Sequence, residues 1–288
     1  MKKAIKMILA EIDYFLHRTI IKKGNIEVYS IDETIDELIH SEKSIVRFGD
    51  GEITMMRGMD LTFQKGSPEI ATGLKRIIRY EYDKLMVAIP DIFNDLSAYR
   101  KESRYFWKEH LLFSRKVYLQ VCSKKNYYNA YISRFYYPMD NKSHCEAWIE
   151  KIKSIWSDKD VVVVEGEKTH NGVGNDLLDS AKTIERIICP SREAYQVLEE
   201  IINECKRFPK DRLFLVSLGV AAKFVVEALF LDGYRVLDIG NLDMEYEWYL
   251  CGASEKEPIP KHDVIGIEAN QKAGYQTYLN QIVKRIEL

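Results

Sequence analysis

The sequence lacks the marks of several large protein classes. No run of about 18 uncharged apolar residues occurs in its 288 residues, so nothing in it reads as a membrane-spanning helix. There is no basic surplus either. The 42 Lys and Arg stand against 44 Asp and Glu, a formal net charge of −2, whereas a general nucleic-acid binder needs excess cations to neutralise phosphates. The five cysteines (Cys122, Cys145, Cys189, Cys205 and Cys251) are odd in number and scattered, with no C-x-x-C pair. That usage excludes a disulfide framework or a zinc site and fits a reducing, cytoplasmic setting. The N-terminus, M-K-K-A-I-K-M-I-L-A-E-I-D, starts like a secretion signal, but Glu11 and Asp13 interrupt its apolar stretch and no small-residue cleavage site follows. No internal repeat or low-complexity linker divides the chain.

What is present suits a large core. Hydrophobic residues make up 46% and charged residues 30%, enough for one large α/β domain or two smaller ones with an ordinary solvated surface. Many of the 18 tyrosines fall between Tyr99 and Tyr137. Their rings suit half-buried surface or the wall of a sugar groove.

Residues 2–22 predict an amphipathic helix, with Ile5, Ile8, Leu9, Ile12, Phe15 and Leu16 at helical spacing and Lys2, Lys3, Lys6, Arg18, Lys22 and Lys23 toward its ends. Six basic residues against two acidic ones would suit an anionic membrane face, the cytoplasmic inner face in this setting. Packing on the main domain, or on a second subunit in a homo-oligomer, is the alternative. Gly24-Asn25 breaks the helix, dividing the chain into residues 1–24 and a body of residues 25–288. Ser30 and Glu33 form a capping box for a helix to about His40.

The body then alternates. Strands are expected at Ile45–Phe48, Leu85–Ile89, Val161–Val164, Thr183–Cys189, Arg212–Ser217 and Tyr234–Ile239. Helices are expected at Ser67–Asp83, from Asp91 to about Ser123, at Ser143–Trp156, after Asp176, from a Ser191 cap to Lys206, and at Ala221–Leu231. Residues 252–263 read as a polar surface loop before a final helix. This spacing predicts an α/β fold: a Rossmann-like, doubly wound, mostly parallel sheet with flanking helices, preceded by the N-terminal amphipathic helix.

In such a sheet, ligands collect beyond the carboxyl ends of the strands. The first such turn is S-I-V-R-F-G-D-G-E. Gly49 and Gly51 permit a tight turn, Asp50 and Glu52 can both face a hard divalent cation, and Arg47 suits a phosphate. The second runs through Glu165 to H-N-G-V-G-N-D, where Gly172 and Gly174 allow close backbone approach and Asn175 and Asp176 can bond a base or ribose. The third, V-S-L-G-V-A-A-K, sets Ser217 and Gly219 at a strand-to-helix turn that favours phosphate. Together these turns supply the candidate donor-binding residues Arg47, Phe48, Gly49, Asp50, Glu165, Gly172, Gly174, Asn175, Asp176, Ser217 and Gly219. The fourth, D-I-G-N-L-D-M-E-Y-E-W, reads as a substrate wall carrying a general base, Asp243 or Glu245.

The ordered set R-F-G-D-G-E, V-V-V-V-E-G, G-V-G-N-D, C-P-S-R-E-A-Y and G-Y-R-V-L-D-I-G-N-L-D-M-E-Y-E-W resembles the bacterial GT-D-type glycosyltransferases, formerly a domain of unknown function, from about Asn25 to the C-terminus. The resemblance implies a UDP-sugar donor, Mn²⁺ or Mg²⁺ on an Asp-x-Glu motif formed by Asp50 and Glu52, and a surface-glycan or glycoprotein-glycan acceptor. One departure is that Asn241 stands where the family's last motif has His. Two other readings are an S-adenosylmethionine-dependent methyltransferase, because V-V-V-V-E-G and V-L-D-I-G mimic a cofactor-binding strand-turn, and a non-catalytic adaptor of a glycan assembly complex.

Overall fold

The computed structural model describes residues 2–17, 26–93, 95–123, 126–262 and 274–288. Nine strands form one parallel sheet: β1 (Glu27–Val28), β2 (Ser44–Arg47), β3 (Leu85–Ile89), β4 (Asn126–Asn129), β5 (Asp160–Gly166), β6 (Thr183–Cys189), β7 (Leu213–Ser217), β8 (Arg235–Asp238) and β9 (Ile282–Arg285). Their order is β1-β4-β3-β2-β8-β7-β5-β6-β9. Every strand pairing is parallel, with β2 and β8 joined through Ile45 and Leu237 at the centre. The valine run Val161–Val164 is fully buried, as a strand covered on both faces requires.

The helices are α1 (Lys2–Leu16), α2 (Ile31–His40), α3 (Asp50–Met56), α4 (Pro68–Ile77), α5 (Lys101–Val121), α6 (Cys145–Ser154), α7 (Leu198–Cys205), α8 (Ala221–Leu231), α9 (Leu242–Leu250) and α10 (Tyr275–Gln281). Right-handed crossovers sort most of them. Connections from β2 to β3, β6 to β7 and β7 to β8 all run toward the β1 edge, so α3, α4, α7 and α8 share one face. In agreement, α8 packs against both α4 and α7. Connections from β1 to β2 and β4 to β5 run the other way and put α2 on α6.

The capping box of Ser30 and Glu33 forms as expected, and Ser67 caps α4 with Pro68 in its first turn. Other expectations need correction. Residues 170–180 form successive turns and no helix follows Asp176. Ser191 caps nothing: its hydroxyl accepts a hydrogen bond from the Lys168 N–H, and the chain reaches α7 through a 3-10 turn at Ala194–Val197. The region from Asp91 becomes helical only at Lys101, and the acidic-aromatic stretch after Asp238 is itself helix α9. The edge strands β1 and β9, and β4 beside β1, were not expected; each has only two to four residues. The helix break at Gly24-Asn25, with Arg18, Lys22 and Lys23, lies outside the described residues.

Candidate functional site

The chain leaves β2 toward β3 and leaves β8 toward β9 on the opposite side of the sheet. Their outgoing turns therefore part at the carboxyl edge, and a crevice opens where the winding reverses. A cleft of about 620 Å³ occupies this place. It is lined by the β2 turn (Arg47 to Glu52), by Ser217, Gly219 and Lys223 after β7, and by Gly240 and Asn241 after β8. The outer wall is aromatic and basic: Phe63, Phe106, Trp107, Tyr131, Tyr137, Arg134 and Lys256.

Four buried charges form its floor. Lys223 Nζ lies 2.9 Å from Glu52 Oε1 and 3.0 Å from Asp238 Oδ2, and Arg47 Nη2 lies 3.0 Å from Asp238 Oδ1. Burial opposes the charge on Lys223, but Asp238 and Glu52 outweigh it and raise its pKa. Burial likewise opposes the Asp238 carboxylate, yet Arg47 and Lys223 hold its pKa below the usual value. Arg47 also donates through Nε to the Asp238 carbonyl at 2.5 Å and through Nη1 to the Ala130 carbonyl and the Ser133 hydroxyl. Glu52 Oε2 accepts the Gly49 N–H at 2.7 Å, closing the start of α3.

Asp50 differs from these four. Its side chain is engaged by no other residue among those described, and its pKa is raised by burial and then by the Glu52 charge, with Arg134 and Lys256 partly offsetting the rise. Two glycines let the backbone come this close. Gly240 has φ +45°, and a Cβ there would lie 1.8 Å from Arg47 Nη2; Gly219 has φ +52°, and a Cβ there would lie 2.8 Å from the Phe63 ring. The turn bearing Phe63 is pinned by Glu193. Its N–H donates to the Phe63 carbonyl at 2.9 Å, and its carboxylate accepts from Lys65 N–H and Gln64 Nε2.

The structure thus brings Arg47, Phe48, Gly49, Asp50, Glu52, Ser217 and Gly219 to one cleft, and it puts the other sequence candidates elsewhere. Glu165 is enclosed: it pairs with Arg186 Nη1 at 2.6 Å and accepts both the N–H and the Nδ2 of Asn171 at 2.8 Å. Asp243 is enclosed as well. Its Oδ1 accepts from Gly172 N–H, Asn175 Nδ2 and Lys261 Nζ, and its Oδ2 lies 2.9 Å from His262 Nε2. Burial would raise its pKa, but His262 and Lys261 outweigh burial and lower it. Asn175 also donates to Glu247 at 2.5 Å, Asp176 pairs with Lys153 at 2.7 Å, and Gly174 faces Gly274. Glu245 lies behind the cleft wall. Its Oε2 accepts the N–H groups of Tyr136 and Tyr137, while its Oε1 lies 3.6 Å from Arg134 Nη1 without a hydrogen bond, and burial raises its pKa.

Sequence reasoning missed Lys223, Arg134, Lys256 and the aromatic wall. Lys223 carried a legible signal, a cation in the first turn of a largely apolar helix, where the helix dipole disfavours it. Arg134 and Lys256 lie in irregular segments without a pattern to betray them.

Comparison with known proteins agrees with this architecture. The family described as "Glycosyltransferase GT-D fold" matches residues 45–266. The chain is 39% identical over 269 residues to the "Probable glycosyl transferase Gly" of Streptococcus gordonii, covering 92% of this chain and 39% of that protein. It is 37% identical over 284 residues to "Glycosyltransferase GlyD" of Streptococcus pneumoniae, covering 96% of this chain and 35% of that one. The chain therefore spans less than two fifths of the length of these curated relatives. Among solved structures, "A New Glycosyltransferase (DUF1792) from Streptococcus sanguinis" superposes with a TM-score of 0.85 at 38% identity, covering 91% of this chain and all of that one. The structure titled "The highly conserved domain of unknown function 1792 has a distinct glycosyltransferase fold" gives a TM-score of 0.86 at 35% identity over the whole of both chains. With the central strands, their carboxyl-edge cleft and most of the length of the body matched, the chain belongs to the GT-D-fold glycosyltransferase family.

Proposed function

We propose that this chain moves a sugar from a nucleotide-sugar donor, a UDP-sugar, to a hydroxyl of a surface-glycan or glycoprotein-glycan acceptor. The observation that carries the reading is Asp50: an otherwise unengaged carboxylate at the crevice of a parallel sheet, flanked by Lys223, Arg134 and Lys256. Cleaving a nucleotide sugar builds charge on the leaving diphosphate, and preorganised cations stabilise that charge.

The donor set at Asp50 fits a divalent cation, Mn²⁺ or Mg²⁺, of the kind bound by one or two protein carboxylates and completed by substrate phosphates and water. No cluster of three or more His, Cys, Asp or Glu able to hold a metal occurs among the described residues. Glu52 fits less well than the sequence pattern implied, because one oxygen is committed to Lys223 and the other to the Gly49 N–H. This reading gives the metal to Asp50 and gives Glu52 the task of holding the turn and Lys223. When bound, the cation supplies charge neutralisation at the diphosphate.

The remaining roles follow from position. The Gly219 turn offers backbone N–H groups, and Phe63 beside it offers a ring face for a base or sugar. Glu245 holds Arg134 toward the cleft from behind. Asp243, sealed among four donors, ties α9 to the 170–175 turns and presents no oxygen to an acceptor hydroxyl. The methyltransferase alternative loses its physical ground. Glu165 and Asp238, the acids after its two cofactor-like strands, are both saturated by internal partners.

The test is calorimetric titration of UDP with Mn²⁺ and with chelator. Metal-dependent binding to the wild type, weakened at least about tenfold by Asp50→Asn, is expected, since removing one partner of a charged contact costs at least about 1.4 kcal/mol. Equal binding by the variant, or binding that survives the chelator unchanged, overturns the assignment to Asp50.

A further inference from the structure

Helix α1 is attached back to front. In an ordinary surface helix the apolar stripe faces the core. Here the body-facing side is made of Ala10 and Tyr14, both buried, and of ion pairs to α5: Lys6 to Glu109 at 2.6 Å, Glu11 to Lys108 at 2.6 Å and Asp13 to Arg115 at 3.1 Å. The apolar stripe faces solvent. At 100° per residue, Phe15, Ile8, Ile12, Ile5, Leu16 and Leu9 fall within about 120° of arc. All six are exposed, with Ile8 at 59% and Phe15 at 61%. Exposed Phe113 of α5 extends the patch, with Lys6 Nζ 5.1 Å from its ring. An exposed apolar stripe of this length marks an interaction surface.

Charge says what covers it. The two acids of α1 are neutralised by Lys108 and Arg115, while the sequence adds Lys2 and Lys3 before the stripe and Arg18, Lys22 and Lys23 after it. An apolar stripe between basic ends is complementary to an anionic lipid surface, where the side chains enter the acyl boundary and the lysines meet the headgroups. A second copy of the chain would bring the same basic ends against each other. No helix among the described residues is long and apolar enough to cross a membrane, so the helix would lie in the interface. We infer that α1 is a membrane-docking face that holds the body peripherally on anionic bilayers. Phe106, on the same side of α5 as Phe113, lines the cleft and would bring its mouth near that surface.

The test uses the full chain and flotation with vesicles of phosphatidylcholine alone or with about one third phosphatidylglycerol. The wild type should float with the anionic vesicles and lose recovery as salt is raised. An Ile8→Glu/Ile12→Glu variant should partition at least about tenfold less, because two apolar side chains leave the acyl boundary. Both positions are solvent-facing, so its circular dichroism and melting temperature should match the wild type. Failure of the wild type to bind anionic vesicles, or equal recovery of the variant, overturns the inference. So does a concentration-dependent dimer that the same variant abolishes without any vesicle binding, since the face would then belong to a second copy. UDP titration is independent of all these outcomes.

Discussion

Lys223 stands where a helix dipole least favours a cation, yet it is among the most constrained side chains in the cleft. It is 5% exposed, contacts Glu52 at 2.9 Å, and shares Asp238 with Arg47. A buried charge left without its partner costs roughly 3–5 kcal/mol. Lys223→Met should therefore lower unfolding stability in urea by about that amount, and adding Glu52→Gln should recover part of the loss by removing one stranded charge. A single variant as stable as the wild type would mean that Glu52 and Asp238 are solvated in solution. Asp50 shows the converse at the same scale. Burial and then the Glu52 charge raise its pKa, so it protonates at higher pH than an ordinary Asp, and metal-dependent UDP binding should weaken on acidification sooner than an ordinary Asp would make it.

Between elements, the buried carboxylates act as ties. Asp243 on α9 joins the turn at Gly172 and Asn175 to Lys261 and His262, and Glu165 on β5 joins Asn171 to Arg186 on β6. Asp243→Asn should cost about 1–3 kcal/mol at pH 7, because it takes a charged acceptor from buried donors while Lys261 keeps Glu247 at 2.7 Å. The pH dependence has a definite sign. The folded-state pKa of Asp243 is depressed, so its contribution is fully present above the unfolded value of about 3.9 and is lost as pH falls through the folded value. The difference in melting temperature between wild type and variant should stay constant from pH 7 to about 5 and shrink below about pH 4. A variant with an unchanged melting temperature but a turnover reduced about 10²–10⁴-fold would return Asp243 to the role of base.

For the whole molecule, α1 makes its main contacts with α5 alone and takes no part in the sheet or its cleft. Deleting residues 1–25 should remove the burial of Tyr14 and Ala10 and lower the melting temperature by about 5–10 °C. UDP affinity should change by less than about twofold. A collapse of UDP binding together with loss of folded signal would mean that α1 is part of the core and not an appendage.

How much was legible follows from which forces are local. The sequence by itself determined the central strands, their helices and the Ser30 cap, because period-3.6 patterns, β-branched runs and capping side chains are decided by neighbours in the chain. The place of Asp50 was readable for the same reason, since it lies within a few residues of a strand end, but the tight turn expected at Gly49 and Gly51 is instead the capped start of helix α3. The short strands β1, β4 and β9 stayed hidden because two to four residues carry no periodicity, and pairing with a distant neighbour is what makes them strands. Only the tertiary structure decided which acids face the cleft. Asp50, Glu165 and Asp243 read alike as acids near strand ends, but Arg186 and Asn171 close over Glu165, and Lys261 and His262 over Asp243, from segments with no local pattern tying them to these acids. Whether a carboxylate is a ligand or a tie depends on the cations that folding brings to it, and that is a property of the assembled sheet.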